Sequence, residues 1–480
     1  MNDRKGFGSN FGFLMAAVGS AVGLGNIWGL PNKMGANGGF PFLILYLALA
    51  LCCGVIIMLG ELALGRKTGH GAVGAYQSIS KRFKWLGWLG IAAAALIFSF
   101  YSALGGYCLR YVVVNFGNLI GAEFGTNGVG GADVFQGLLS QPDVSIAFAL
   151  AFMLITMLVV MSGVGGGIER VCSVGMPALF FILIICIIRS CTLPGAADGL
   201  KYMFVPGWAV ANGIIDEAPG FWKVLTAAGG QMFFSLSLGA GVMITYGSYL
   251  DKKQDLGKSA MIIVGMDTVV ALMAGLCVIP GRFALDPNGA LGGPELLFIT
   301  MQNVFDKMGP AGPVFGILFY LLVFFAAISS SISMLEVIVA HFCDKAREKG
   351  KGDRRKLYSA IAVVICAALC ALVCADGMGS NHISPAELLG LAGAKLPGWS
   401  TSWLGLFDSV AEGMLMPLGA LLMCLMISWE LKPDTLRQEI LLNGENRPWV
   451  YDFFRLCVKY ITPLCMLMIL YGQISDFFIV

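Results

Sequence analysis

Two stretches of this chain carry groups that could handle a small ion and a polar solute. One is Gly19-Ser20-Ala21-Val22-Gly23-Leu24-Gly25-Asn26-Ile27-Trp28-Gly29-Leu30-Pro31. The other is Gly229-Gly230-Gln231-Met232-Phe233-Phe234-Ser235-Leu236-Ser237-Leu238-Gly239-Ala240-Gly241. Each sits inside an apolar run long enough to cross a bilayer, yet each is rich in residues that suit an unbroken helix poorly. In hydrocarbon a broken helix leaves carbonyls and amides unpaired, at several kcal/mol apiece. Such a break persists where something polar fills the gap. Carbonyl oxygens and an Asn side chain suit a small hard cation, and the amide end of a half-helix suits an anion. Asp267 adds a lone carboxylate in Gly265-Met266-Asp267-Thr268-Val269-Val270-Ala271-Leu272, a run otherwise fit for lipid. A charge there is costly unless it faces a cation; the plainer reading is a protonated acid hydrogen-bonded within the bundle. Ser329, Ser330 and Ser331 form a third polar row, which taken alone would bond back to the preceding helical turn.

The elements that must position these groups are membrane helices. The chain has 480 residues, 57% hydrophobic and 12% charged, with a mean hydropathy of +0.79. Soluble domains carry roughly twice that charge. Spans are expected near 11–34, 41–66, 86–116, 144–163, 171–191, 221–249, 258–280, 313–342, 357–375, 403–430 and 450–473, eleven in all. The two interrupted runs are then the first and sixth spans. Breaks five spans apart are the mark of two five-helix halves of inverted topology, here about 8–195 and 215–430, with the site at their interface. The whole chain, 1–480, reads as a single all-α transmembrane domain with an additional helix near 450–473.

Basic residues cluster at Arg4/Lys5, Arg66/Lys67, Lys81/Arg82/Lys84, Lys252/Lys253/Lys258, Lys345 to Lys356 and Lys432/Arg437/Arg447, in alternate loops. About 23 of the basic residues fall on that side and about 8 on the other or within spans. The expectation is a multi-pass protein of the plasma membrane with its N-terminus cytoplasmic and its C-terminus outside. The first span is too long and too polar at its middle for a signal peptide. The 14 cysteines form no CxxC or Cys/His grouping, and Cys366, Cys370 and Cys374 read as packing residues on one helix face. Three histidines lie far apart in the chain, and no nucleophile–base pair stands out, which argues against an enzyme. No nucleic-acid partner is expected.

The order and spacing of these motifs carry a resemblance. Gly19 to Pro31, Gln231 to Gly241, Phe324 to Ile332, Gly167-Ile168-Glu169-Arg170 with Met176-Pro177, Ala196 to Leu200 and Tyr460 to Pro463 resemble the neurotransmitter:sodium symporter family. The matches run from residue 8 to about 470, and eleven spans fit the shorter bacterial amino-acid transporters of that family. The resemblance implies two sodium sites. The first would use Ala21, Asn26, Ser235 and Asp267; many relatives have Asn where Asp267 stands. A fixed carboxylate there could replace the chloride that animal relatives use, so transport independent of chloride is expected. The second would use the carbonyls of Gly19, Val22 and Ala326 with the hydroxyls of Ser329 and Ser330. Neutral oxygens around a dry pocket suit sodium better than magnesium or calcium.

The same resemblance puts the solute against Ser20, Leu24, Gly25, Ile97, Tyr101, Phe234, Ser237, Ala240, Ser330 and Met334. Tyr101 matches the family tyrosine that binds the substrate carboxylate, near the Gly25 amide at a half-helix start. Amine transporters of the family carry Asp where Gly23 stands, so here the ligand brings its own acid, as an α-amino acid does. Ala240 replaces a Phe of some relatives, which opens the pocket toward large apolar or aromatic side chains.

At the outer mouth the family's Arg and acid are both missing: Gly29 and Ala411 occupy their places. Tyr101 and Phe234, with Gln231 nearby, are the expected lid, and no cation is evident beside Glu412. An inner pair is expected between Arg4 and Asp344. Glu61 and Glu336 read as structural or proton-sensitive networks rather than ligands, and Arg110 and Asp408 as further charges in or near spans. Gly167, ten residues before Pro177, resembles the family element that lets the fifth span unwind. The function implied is sodium-coupled import of an α-amino acid by alternating access. A proton-coupled carrier of the same fold, or a membrane amino-acid receptor, are the alternatives; short inner loops and tails argue against the receptor.

Overall fold

The structure, a computed structural model, describes residues 6–126, 128–290, 293–390, 398–431, 435–442 and 448–478. It is helical, with no strand among the described residues. The helices that matter are α1 (Asn10–Ala21), α2 (Gly25–Ala36), α3 (Phe40–Thr68), α4 (Lys81–Ile120), α5 (Pro142–Met161) and α6 (Val164–Cys191). They continue as α7 (Phe221–Leu236), α8 (Val242–Gly247), α9 (Leu256–Leu285), α10 (Gly309–Glu348), α11 (Arg355–Gly379), α12 (Trp403–Glu430) and α13 (Pro448–Ser475). Among the described residues nine helices are long and apolar enough to cross a membrane, or ten when α1 and α2, bent by 42° at their junction, count as one span. The expected sixth span is the shorter pair α7 and α8, parted by residues 237–241.

Local chemistry sets the ends. The Ser9 side chain accepts from the Gly12 amide to start α1, and Asp255 does the same from Lys258 for α9. Gly69, at φ 66°, closes α3 just after Arg66 and Lys67. The fifth span begins at Val164, seven residues before its expected start at 171, because Gly163 at φ 86° turns the chain and a wide turn over Val164–Glu169 follows directly. Another wide turn, Ser409–Leu415, lies inside α12 and brings Glu412 to a buried position.

α4 and α10 lie against each other along much of their length, with α5 and α11 beside them. α1 sits among α6, α9 and α10, while α7 packs on α3 and α13. The polar stretches at 19–26 and 235–241 are therefore enclosed by other helices, as breaks at membrane depth must be. All fourteen cysteines are free thiols.

Candidate functional site

The break between α1 and α2 frees a set of carbonyls. Val22 leaves the helix at ψ 96°. The amides that would continue α1 go elsewhere: Gly23 N donates to Asn26 Oδ1 at 3.0 Å, and Leu24 N donates to the Tyr101 hydroxyl at 2.6 Å. Asn26 N bonds to the Gly23 carbonyl instead of Val22. The oxygens of Gly19, Ser20, Ala21 and Val22 are thus left without their helical donors. Hydroxyls of α10 meet three of them: Ser329 Oγ lies 3.4 Å from the Val22 oxygen and 3.0 Å from that of Ala326, and Ser330 Oγ lies 3.1 Å from the Ser20 oxygen and 3.4 Å from that of Gly19. All five positions expected for the second cation site are buried and lie within reach of the two serine hydroxyls.

The other group gathers around Asp267. Its Oδ1 accepts from Asn26 Nδ2 at 2.7 Å, and the Ser235 hydroxyl lies 3.0 and 2.9 Å from its two oxygens. Tyr46 of α3 donates to Oδ2 at 3.2 Å. Asp267 is fully buried, and among the described residues no basic side chain bonds to it. Neutral donors alone are a poor match for a desolvated carboxylate; a cation beside it is the physical complement. Ala21 is buried at the same break. Tyr46 was missed in the sequence, since Phe40 to Leu49 reads as lipid-facing apolar helix; only its fold position brings the hydroxyl to Asp267.

The solute positions surround the same break. A Cβ on Gly23 would stand 2.2 Å from Ser330 Oγ and 2.4 Å from the Tyr101 hydroxyl, so a side chain there would have to displace both hydroxyls. Ser237, at φ 53°, ends α7, and its hydroxyl donates to the Ser20 carbonyl at 3.0 Å. The Ser20 hydroxyl donates to Ser333 at 2.7 Å. Tyr101 and Phe234 meet edge to face, ring centroids 6.2 Å apart, over Gly25. No hydrogen bond reaches the Gly25 amide among the described residues. Ile97 is buried one turn before Tyr101 on α4, and Met334 one turn after Ser330 on α10. Ala240 is buried in the 237–241 segment with its carbonyl packed on Gly90 of α4. Glu61 of α3 holds that segment: its Oε1 accepts from Gly239 N at 2.7 Å.

Two groups of polar contacts flank the site. On one side Gln231 donates to the Gly25 carbonyl at 2.5 Å, and a Cβ on Gly29 would lie 2.9 Å from its Oε1. Ala411 is buried without a polar role, as the sequence implies. Glu412, however, is paired: Lys33 of α2 forms a salt bridge with it, which corrects the expectation that no cation stands beside this acid. Lys33 lies four residues beyond Gly29, one helical turn from where a cation was sought. On the other side Arg4 falls outside the described residues, and Asp344 Oδ2 accepts from Gly71 N at 3.0 Å. Glu169, in the wide turn of α6, accepts from Gly8 N at 2.6 Å and from the Ser9 hydroxyl at 2.9 Å, tying the start of α1 to α6. Glu336 pairs with Arg355 at 2.5 and 3.0 Å and accepts from Tyr249 at 2.5 Å.

Apolar helices around two interrupted spans, with freed carbonyls and buried hydroxyls between them, define a carrier-type membrane protein rather than an enzyme. The family model described as "Sodium:neurotransmitter symporter family" matches residues 4–127 and 132–478, and the chain belongs to that family of sodium-dependent membrane transporters. It is 36% identical over 477 residues to the uncharacterized sodium-dependent transporter YhdH of Bacillus subtilis, covering 97% of each chain. It is 26% identical to the sodium-dependent nutrient amino acid transporter 1 of Drosophila ananassae, covering 72% of this chain and 63% of that one. Its fold matches the crystal structure of MhsT in complex with L-phenylalanine at a TM-score of 0.83 and 33% identity, covering 98% of this chain and 100% of the other.

Proposed function

We propose that this protein imports a large apolar or aromatic α-amino acid across the plasma membrane, driven by two sodium ions and independent of chloride. The chain would cross eleven times, with its first and sixth spans unwound between inverted halves, its N-terminus cytoplasmic and its C-terminus outside. One observation carries the reading. Of the four carbonyls freed at residues 19–22, those of Gly19, Ser20 and Val22 meet Ser329 and Ser330 on one side, and Asp267 gathers Asn26 and Ser235 on the other. Oxygens without a helical donor, gathered beside hydroxyls and a carboxylate, are what a sodium ion replaces its hydration shell with.

The solute then completes the arrangement. The Gly25 amide and the Tyr101 hydroxyl receive its carboxylate beside the Asp267 group, which links amino-acid binding to the first ion. With glycine at position 23, the protein supplies no acid there and the ligand must. Ile97, Ala240 and Met334 leave the side-chain end of the pocket apolar. MhsT, similar over nearly the whole chain, binds L-phenylalanine in the structure named above, which supports an aromatic substrate. Two sodiums entering down about 100 mV and a tenfold gradient release roughly 7 kcal/mol, enough for about 10⁵-fold accumulation of a zwitterion.

Radiolabelled phenylalanine uptake into liposomes holding the purified protein tests this. Uptake is expected with an inward sodium gradient, with gluconate as well as chloride, and not with potassium. Uptake driven by a pH gradient alone, indifferent to sodium, would instead favour a proton-coupled carrier.

A further inference from the structure

Beyond the ion and solute positions, four helices bring polar groups together at one point, and the reading above gives this cluster no role. Lys33 of α2 pairs with Glu412 of α12, their side chains 24% and 6% exposed. Gln473 of α13 lies against the same spot, its Nε2 donating to the Thr226 carbonyl of α7 at 3.2 Å. Gly230 of α7 forms the floor: a Cβ there would stand 2.7 Å from Gln473 Nε2, 3.1 Å from Glu412 Oε1 and 3.6 Å from Lys33 Nζ. The Gln473 Oε1 end reaches toward α12, 3.2 Å from where a Cβ on Gly413 would be. A cavity of about 270 Å³ opens over the group, lined by Asn37, Lys223 and Asp408 as well as the three side chains. Gln231, which grips the Gly25 carbonyl, is the next residue of α7 after that floor.

We propose that Lys33, Glu412 and Gln473 together form the outer closure of the carrier, so that the eleventh span is a working part of the gate. This rests on the transport reading above. A Lys–Glu pair is weak when water surrounds it and strong only when both partners are desolvated and held. Closing α2 onto α12 supplies that condition, with Gly230 giving the space. Gln473 fixes the geometry by bonding α7 while packing on α12, so the first, sixth and tenth spans close as one unit. Gly29 and Ala411 lack side chains that could do this.

The test compares wild type with Lys33→Gln, Glu412→Gln, the exchanged pair Lys33→Glu/Glu412→Lys, and Gln473→Leu. Phenylalanine uptake into liposomes and hydrogen exchange of the 25–36 and 221–236 segments are both measured. Each single charge variant is expected to slow uptake about tenfold and speed exchange in both segments, while sodium-dependent equilibrium binding of phenylalanine persists. The exchanged pair is expected to recover most of both readouts, the signature of a direct pairwise interaction. Gln473→Leu should speed exchange chiefly in 221–236 and slow uptake severalfold. Single variants with wild-type uptake and exchange, or an exchanged pair no better than the singles, would overturn the proposal. Wild type that takes up no amino acid with sodium would defeat the transport reading instead, and the exchange data would still report on the closure.

Discussion

Replacing Asp267 with Asn is the sharpest perturbation the site offers. The side chain keeps its size and one acceptor oxygen for Asn26, while the new amide NH2 can donate to the Tyr46 and Ser235 hydroxyls, so the chief change is the loss of the charge. A unit charge about 4 Å from a cation contributes roughly 4 kcal/mol at an effective dielectric constant near 20. Against this stands the relief of desolvating a buried carboxylate, itself several kcal/mol. The net loss for a bound sodium is then about 1.4 to 3 kcal/mol, or roughly 10- to 150-fold in affinity. The assay is phenylalanine uptake into liposomes against sodium concentration, at constant ionic strength with choline as the replacement cation. Wild type and Asp267→Asn should differ in half-saturating sodium by at least tenfold, and wild type should be indifferent to gluconate in place of chloride. A variant with unchanged sodium dependence would show that Asp267 does not face the ion. Wild-type uptake that collapses without chloride would refute the idea that this carboxylate supplies the missing negative charge.

Three further outcomes follow from other parts of the site. Tyr101→Phe removes the hydroxyl that meets the Leu24 amide beside the Gly25 amide, and should raise the KM for phenylalanine about tenfold by loss of a hydrogen bond to a charged group, measured by uptake kinetics. Ala240→Phe fills the apolar end of the pocket and should shift a competition panel toward smaller amino acids; unchanged selectivity would remove Ala240 from the lining. Arg355→Ala leaves the fully buried Glu336 without its charge partner and should destabilise the protein by about 3 to 5 kcal/mol, read as a lower thermal midpoint in detergent.

The parts of the site legible in the sequence are those that offend against a lipid setting. Glycines and Asn26 in the first span, Ser235 to Gly241 in the sixth, Asp267 and Ser329–Ser330 stand out because hydrocarbon has no use for them. The structure places these residues side by side because the groups freed at the break of α1 are met by side chains: Asn26 itself, Tyr101 of α4, Ser237 after α7, and Ser329 and Ser330 of α10. What was hidden is what looks ordinary. Tyr46 sits in an apolar run whose faces cannot be told apart by composition, so its bond to Asp267 emerges only from the packing of α3. Lys33 escaped because the partner was sought at Gly29, and a shift of one turn along α2, matched by one residue along the wide turn of α12, restores an ion pair. The early start of α6 was obscured by the glycine-rich run Gly163-Val164-Gly165-Gly166-Gly167, which reads as a loop but leads into a wide turn.

The central claim is that amino acid and sodium bind at one place, each completing the other's site. Reciprocity requires that sodium raise phenylalanine affinity by the same factor that phenylalanine raises sodium affinity. Equilibrium binding of labelled phenylalanine to purified protein, over a wide range of sodium at fixed ionic strength, measures this directly. The account predicts that the logarithm of affinity rises with the logarithm of sodium concentration at a slope approaching two. A slope of zero, with phenylalanine bound equally well in potassium, would contradict it.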